Sequence, residues 1–90
     1  MNFAVIGVGS FGIKRAQSIK NSKLAKLIAI NDVNKDNVQK AETILKVKVL
    51  DLDQILNDKS IDVVCICAPN KFHKDIIIKS LEADKHVFCE

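Results

Sequence analysis

The sequence predicts an α/β fold, a parallel sheet doubly wound by helices on both faces, in a single domain spanning residues 1–90. Three observations carry this. Short apolar runs alternate along the chain with segments whose apolar residues recur at helical spacing. The first run, Ala4-Val5-Ile6, leads directly into Gly7-Val8-Gly9-Ser10-Phe11-Gly12, a G-x-G-x-x-G turn, and from there into a helical stretch. The second run, Leu27-Ile28-Ala29-Ile30, ends beside Asp32, which lies 20 residues past Gly12.

Taken in order, 3–6 is the first strand, near-continuously apolar as a strand covered on both faces should be. After the glycine turn, Gly12, Ala16 and Ile19 recur at helical spacing with Ile13 beside them, while Lys14, Arg15 and Lys20 fall outside that face. Asn21-Ser22 ends the helix, and 24–30 forms the second strand. Asn34 caps a second helix whose buried face is Val38, Ala41 and Leu45, with Ile44 alongside. The alternation over 46–49 reads as an edge strand with one wet face. Asp51 and Gln54 form a capping box for a short helix carrying Ile55 and Leu56, and 58–60 is a turn. The most apolar run, 63–68, is the fourth strand, stopped by Pro69, which has no N–H to donate. Asn70 caps a helix in which Ile77 and Leu81 mark the packed face, and 87–89 is a last short strand. Strands alternating with helices through short turns mean parallel βαβ crossovers, with the expected order 3-2-1-4-5 and a crevice at the carboxyl ends of strands 1 and 4, where the order reverses.

That crevice is where a dinucleotide sits in such a sheet. All three glycines of the chain fall within six residues. Gly7 permits a sharp turn off the strand, Gly9 lets the backbone come close to a pyrophosphate, and Gly12 lets the helix lie tight on the sheet. The N–H groups at the helix start, with the positive end of its dipole, then face the phosphates. The alternative is a tight strand-to-helix turn with no ligand. Asp32 tips the balance, because a carboxylate at the end of the second strand can accept both ribose hydroxyls of an adenosine; its plain alternative is a turn or cap residue.

Other chemistries find little support. The net charge of +3 comes from 14 basic and 11 acidic residues interleaved along the chain, without the basic block and aromatic platforms of a nucleic-acid surface. No run approaches membrane-spanning length, and Met1-Asn2-Phe3 opens without the basic and long apolar regions of a secretory signal. Cys65, Cys67 and Cys89 make an odd number with no C-x-x-C; they read as small buried hydrophobes in a reducing cytoplasm, and no metal site is expected.

The second half of the chain narrows the reading. Ile61-Asp62-Val63-Val64-Cys65-Ile66-Cys67-Ala68-Pro69-Asn70-Lys71-Phe72-His73 resembles the "iDaV.I.tPn..H" stretch of the glucose–fructose oxidoreductase, inositol dehydrogenase and MocA family. The tail from Leu81 to Glu90 is similar to that family's "L.aGKHV.cEKP". The resemblance implies an N-terminal Rossmann domain that binds NAD(H) or NADP(H), and a larger C-terminal domain for a sugar, cyclitol or sugar-nucleotide substrate and for oligomerisation; the Asp32 carboxylate, which would repel a 2′-phosphate, makes NAD the expected cofactor over NADP. It implies that Ser10 and Phe11 offer N–H groups to the pyrophosphate and that Asp32 holds the adenosine ribose. Ala68, Pro69, Asn70 and His73 would line the nicotinamide side, and Glu90 would approach the nicotinamide ribose. Two departures stand out. Asp84 replaces the usual glycine before the last strand, so an aspartate is asked to adopt a tight, left-handed conformation. The lysine that follows the family's glutamate, its usual catalytic group, lies past Glu90, and no substrate domain follows; the chain is therefore expected to be a piece of a longer two-domain oxidoreductase.

No catalytic residue is expected within these 90 residues, His73 being the sole candidate and, apart from the resemblance, a capping or surface histidine. His86 reads as structural. The chain alone is expected to bind NAD without catalysis. Two other functions compete: a stand-alone NAD-binding or redox-sensing module, and a Rossmann-like binder of another adenosine ligand such as S-adenosylmethionine, against which the third glycine and the 69–73 segment argue.

Overall fold

The computed structural model describes residues 1–69, 71 and 73–89. The cap expected at Asn70 and the ribose-side position expected of Glu90 fall outside those residues. Among the described residues five strands and four helices alternate: β1 (Asn2–Ile6), α1 (Ser10–Asn21), β2 (Lys26–Asn31), α2 (Lys35–Leu45), β3 (Lys48–Val49), α3 (Leu52–Asn57), β4 (Val63–Ile66), α4 (His73–Glu82) and β5 (His86–Cys89). The strands are all parallel, in the order β3-β2-β1-β4-β5. The predicted order is the observed one, and β1 lies at its centre.

The alternation of side chains along each strand divides the core in two. Val5, Ile30 and Cys65 meet Ala16 and Ile19 of α1 and Ala41 and Leu45 of α2 on one face. Ala4, Ile6, Val64 and Ile66 meet Ile55 of α3 and Ile76 of α4 on the other. One irregularity interrupts the pairing of β1 with β2. Phe3 pairs with Leu27 but Ala4 pairs with Ala29, so Ile28 is an extra residue on β2. The slip explains how Leu27 and Ile30, three apart, reach the same face.

Local signals in the sequence act as expected at several points. The Asn34 side chain accepts from the N–H groups of Asp36 and Asn37. Asp51 and Gln54 form the capping box in both directions. Asp84 does adopt the left-handed conformation, with φ of 61°.

Elsewhere the expectations need correction. The second strand starts at Lys26, not residue 24; Leu24 is exposed in a turn whose N–H donates to the Ser22 hydroxyl. Lys46 is the left-handed C-cap of α2 and not part of a strand, which leaves β3 two residues long. β4 ends at Ile66, two residues before Ala68. Helix α4 packs Ile76 and Ser80 inward, while Ile77 is half-buried and Leu81 is exposed. Cys65 is buried, but Cys67 is only partly so and Cys89 is exposed, so the three thiols are not uniformly core residues. Lys85 is buried instead, its ammonium donating to the carbonyls of Asp58 (2.6 Å) and Ile61 (2.8 Å). No helix among the described residues is long and apolar enough to cross a membrane.

Candidate functional site

The glycine turn closes the carboxyl end of β1. Gly7 has φ of +92°, a conformation L side chains rarely adopt, and a Cβ there would stand 2.5 Å from the Ala68 nitrogen. Its own N–H donates to the Asn31 carbonyl at 2.7 Å, and the Cys67 N–H donates to the Ile6 carbonyl at 2.7 Å. The ends of β2, β1 and β4 are thus tied side by side beneath the crevice. A Cβ on Gly12 would stand 1.8 Å from the Gly7 carbonyl oxygen. Both glycines are required by the fold itself.

Gly9 differs from them. A Cβ there would meet only the Asn37 Nδ2, at 3.9 Å, and the backbone φ of −69° suits any residue. The space in front of Gly9 is left open by the protein. Gly9 is also the N-cap of α1, so no side chain caps the helix, and no acidic residue occupies its first turn. Uncapped N–H groups at the positive end of a helix dipole, reached across an open glycine, form a cradle that fits the pyrophosphate of a dinucleotide.

Asp32 stands at the end of β2 and braces this turn. Its Oδ2 accepts from the Val8 N–H (2.8 Å) and from Asn37 Nδ2 (3.2 Å), and its Oδ1 accepts from the Asn34 N–H (2.9 Å). A carboxylate has about four acceptor positions, so three donors leave about one for a ligand hydroxyl. Asp32 thus fills the turn-residue role and still has an acceptor position open to the groove.

A single groove brings together Gly7, Gly9, Ser10, Phe11, Gly12, Asp32, Ala68 and Pro69, eight of the residues singled out from sequence. It also takes in Val33, Asn34, Asn37 and Cys67. Asn37 was legible in principle, since it lies one turn into the helix that Asn34 caps and so returns to the Asp32 end of the sheet. A second, more apolar cleft shares Gly7, Asp32, Val33, Ala68 and Pro69 and extends over Leu52, Asp75, Ile76 and Lys79. His73 does not line the groove. Its Nε2 is hydrogen-bonded to the Ala68 carbonyl, and its Nδ1 lies 3.1 Å from Cys89 Sγ.

Comparison with known proteins places this geometry. The oxidoreductase family with an NAD-binding Rossmann fold, that of glucose–fructose oxidoreductase, inositol dehydrogenase and MocA, matches residues 1–90. The chain belongs to this family. It is an NAD-binding Rossmann domain of that family. Among curated relatives, myo-inositol 2-dehydrogenase of Thermotoga maritima is 34% identical over 92 residues, covering 100% of this chain and 28% of the relative. The 2,7-anhydro-N-acetylneuraminate hydratase of Escherichia coli is also 34% identical, over 91 residues, covering 100% of this chain and 24% of the relative. The chain thus spans about a quarter of the length of the curated relatives it matches. The solved structure of scyllo-inositol dehydrogenase from Lactobacillus casei with NAD(H) and scyllo-inositol is 32% identical. It superposes with a TM-score of 0.87 over 99% of this chain and 27% of that one. A biliverdin reductase from Synechocystis with biliverdin and NADP+ is 25% identical, with a TM-score of 0.92, over 98% of this chain and 28% of that one. Neither a stand-alone sensing module nor a binder of another adenosine ligand draws support from these relatives.

Proposed function

We propose that this chain is the cofactor-binding part of an oxidoreductase acting on the CH–OH groups of a sugar, cyclitol or sugar nucleotide, and that the glycine turn, Asp32 and the wall at 68–69 hold the dinucleotide. Gly9 carries the reading. It is the one glycine of the three that the packed protein does not require, and the space its missing side chain would fill opens onto uncapped helix N–H groups.

In this reading the N–H groups of Ser10 and Phe11 donate to the pyrophosphate, and the free acceptor position of Asp32 takes a ribose hydroxyl. Ala68 and Pro69 form the wall towards the nicotinamide, with His73 fixing that wall through the Ala68 carbonyl. The family resemblance adds Asn70 and Glu90 on the same side. Bound NAD supplies the hydride acceptor; the chain itself binds and orients it. A cyclitol or related polyhydroxylated ring as substrate is supported by the names of the inositol dehydrogenase relatives. The thiols of Cys65, Cys67 and Cys89 suit a reducing cytoplasm, and a homo-oligomer is the assembly proposed for the longer protein.

Calorimetric titration with NAD and NADP tests the assignment. A 2′-phosphate next to the Asp32 carboxylate meets like-charge repulsion, so NAD should bind more tightly. Hydrogen bonds to a charged acceptor contribute about 1.5–3 kcal/mol each, so Asp32→Ala should weaken NAD binding about tenfold or more. Equal or tighter binding of NADP would overturn the NAD preference.

A further inference from the structure

We infer that Arg15 is a positioning residue for the phosphate-binding turn, clamped between Phe11 and Phe88 so that the first turn of α1 and the end of β5 hold one another in place. The inference rests on the NAD reading of the glycine turn.

The Arg15 guanidinium carbon lies 5.8 Å from the centre of the Phe11 ring and 5.6 Å from that of Phe88. Both distances are within the reach of about 6 Å over which a ring face attracts a cation. Phe11 and Arg15 are four residues apart on α1 and so share a face. Phe88 pairs with Cys65 of β4, whose side chain packs with Ala16 of the same helix, which brings β5 beneath that face. The guanidinium is planar and stacks on rings, which a lysine ammonium does not reproduce.

Core packing does not account for this arrangement, since both rings are half exposed, at 52% and 50%, while Arg15 is only partly so. Phe11 matters because its own N–H is one of the uncapped donors at the start of α1. That turn has no side-chain cap, and its first backbone closure is the Ile13 N–H on the Gly9 carbonyl at 2.9 Å. Fixing the Phe11 ring fixes the backbone that presents the donor. Through Phe88 the same clamp reaches the strand that, by the family resemblance, leads to the catalytic motif. A change at the end of β5 should therefore be felt at the phosphates.

A double-mutant cycle on the 90-residue chain tests this, with NAD and ADP-ribose affinities read by calorimetry and adenosine affinity by NMR shift titration. Phe88→Leu, away from the groove, should weaken NAD and ADP-ribose about two- to fivefold, and Arg15→Met about three- to tenfold. Adenosine, which carries no pyrophosphate, should bind both variants as it binds the unmodified chain. In the Arg15→Met background Phe88→Leu should have no further effect. Unchanged NAD affinity in Phe88→Leu, equal losses in both backgrounds, or a parallel loss of adenosine affinity would each overturn the inference. If Arg15→Met does not fold, Arg15→Gln, which also removes the charge, serves as the background, with the same outcomes deciding. Failure of the unmodified chain to bind NAD or ADP-ribose would instead overturn the functional reading on which the inference rests.

Discussion

Substituting each glycine of the turn by alanine separates the fold from the ligand. At Gly7 an alanine must hold a φ of +92° and place its Cβ 2.5 Å from backbone. Strain of that conformation alone amounts to about 1–3 kcal/mol, before any displacement of the 67–68 segment. At Gly12 the Cβ would stand 1.8 Å from a carbonyl oxygen, and α1 must lift from the sheet. A domain of this size has a total stability of about 5–13 kcal/mol, so either substitution removes a large part of it. Gly9→Ala has no such conflict. Reduced freedom of the unfolded chain favours alanine by about 0.4–1 kcal/mol, and the poorer N-cap offsets this by a similar amount. Its melting temperature should stay within about 5 °C of the parent, since 1 kcal/mol corresponds to about 4–8 °C here. Its NAD affinity should fall about 10- to 100-fold, because the methyl group stands where the pyrophosphate approaches, and hydrogen bonds to charge contribute about 1.5–3 kcal/mol each. Thermal melts by circular dichroism and calorimetric titration measure the two quantities on the same sample. Parent-like NAD affinity in Gly9→Ala, or a loss of stability equal to that of Gly7→Ala, would refute the division of roles.

The 90-residue chain should bind NAD without turning over sugars or inositols, because both His73 ring nitrogens are engaged, by the Ala68 carbonyl and by Cys89; saturable NADH formation abolished by His73→Ala would contradict this. Asp58 should titrate below its ordinary value of 3.8, held there first by the Ser60 hydroxyl at 2.6 Å and then by the Ser60 N–H. A depressed folded value means the contribution is present above about pH 3.8 and lost as pH falls through the folded value; NMR titration should show Ser60→Ala moving Asp58 back up. β5 is an edge strand that presents Val87 and the half-exposed Phe88, so the isolated chain should associate with rising concentration; sedimentation as a clean monomer throughout would argue against an exposed, sticky edge.

The glycine turn, the strand order, Asp32 and two of the helix starts were legible because each rests on local chemistry that the rest of the fold does not override. Asn34 and Asp51 are short polar side chains placed where helix N–H groups need acceptors, and the structure uses both. The face of α4 was not legible. Ile76, Ile77 and Ile78 are consecutive, so any phase yields an apolar stripe, and the structure buries Ile76 together with the polar Ser80, which no apolar pattern marks. Leu24 and Lys85 exchange the burial their chemistry suggests. Leu24 sits in a surface turn, while Lys85 is drawn in by two carbonyls that come from distant turns. At the site, the eight groove residues follow from strand ends and the glycine motif. The Arg15 contact with Phe88 joins residues 73 apart in sequence, and no periodicity announces it.

The extra residue at Ile28 makes the amino half of β2 a slack segment. Deleting Ile28 would close the bulge and keep every pair of the ladder, Lys26 and Leu27 with Asn2 and Phe3, and Ala29, Ile30 and Asn31 with Ala4, Val5 and Ile6. Length changes between α1 and Ala29 can therefore be absorbed upstream, while the distance from the glycine turn to Asp32 is held by the Gly7–Asn31 and Val8–Asp32 hydrogen bonds. Insertions and deletions in this family should accumulate before residue 29 and be rare between 29 and 32, where a single-residue change would turn the carboxylate away from the turn it braces.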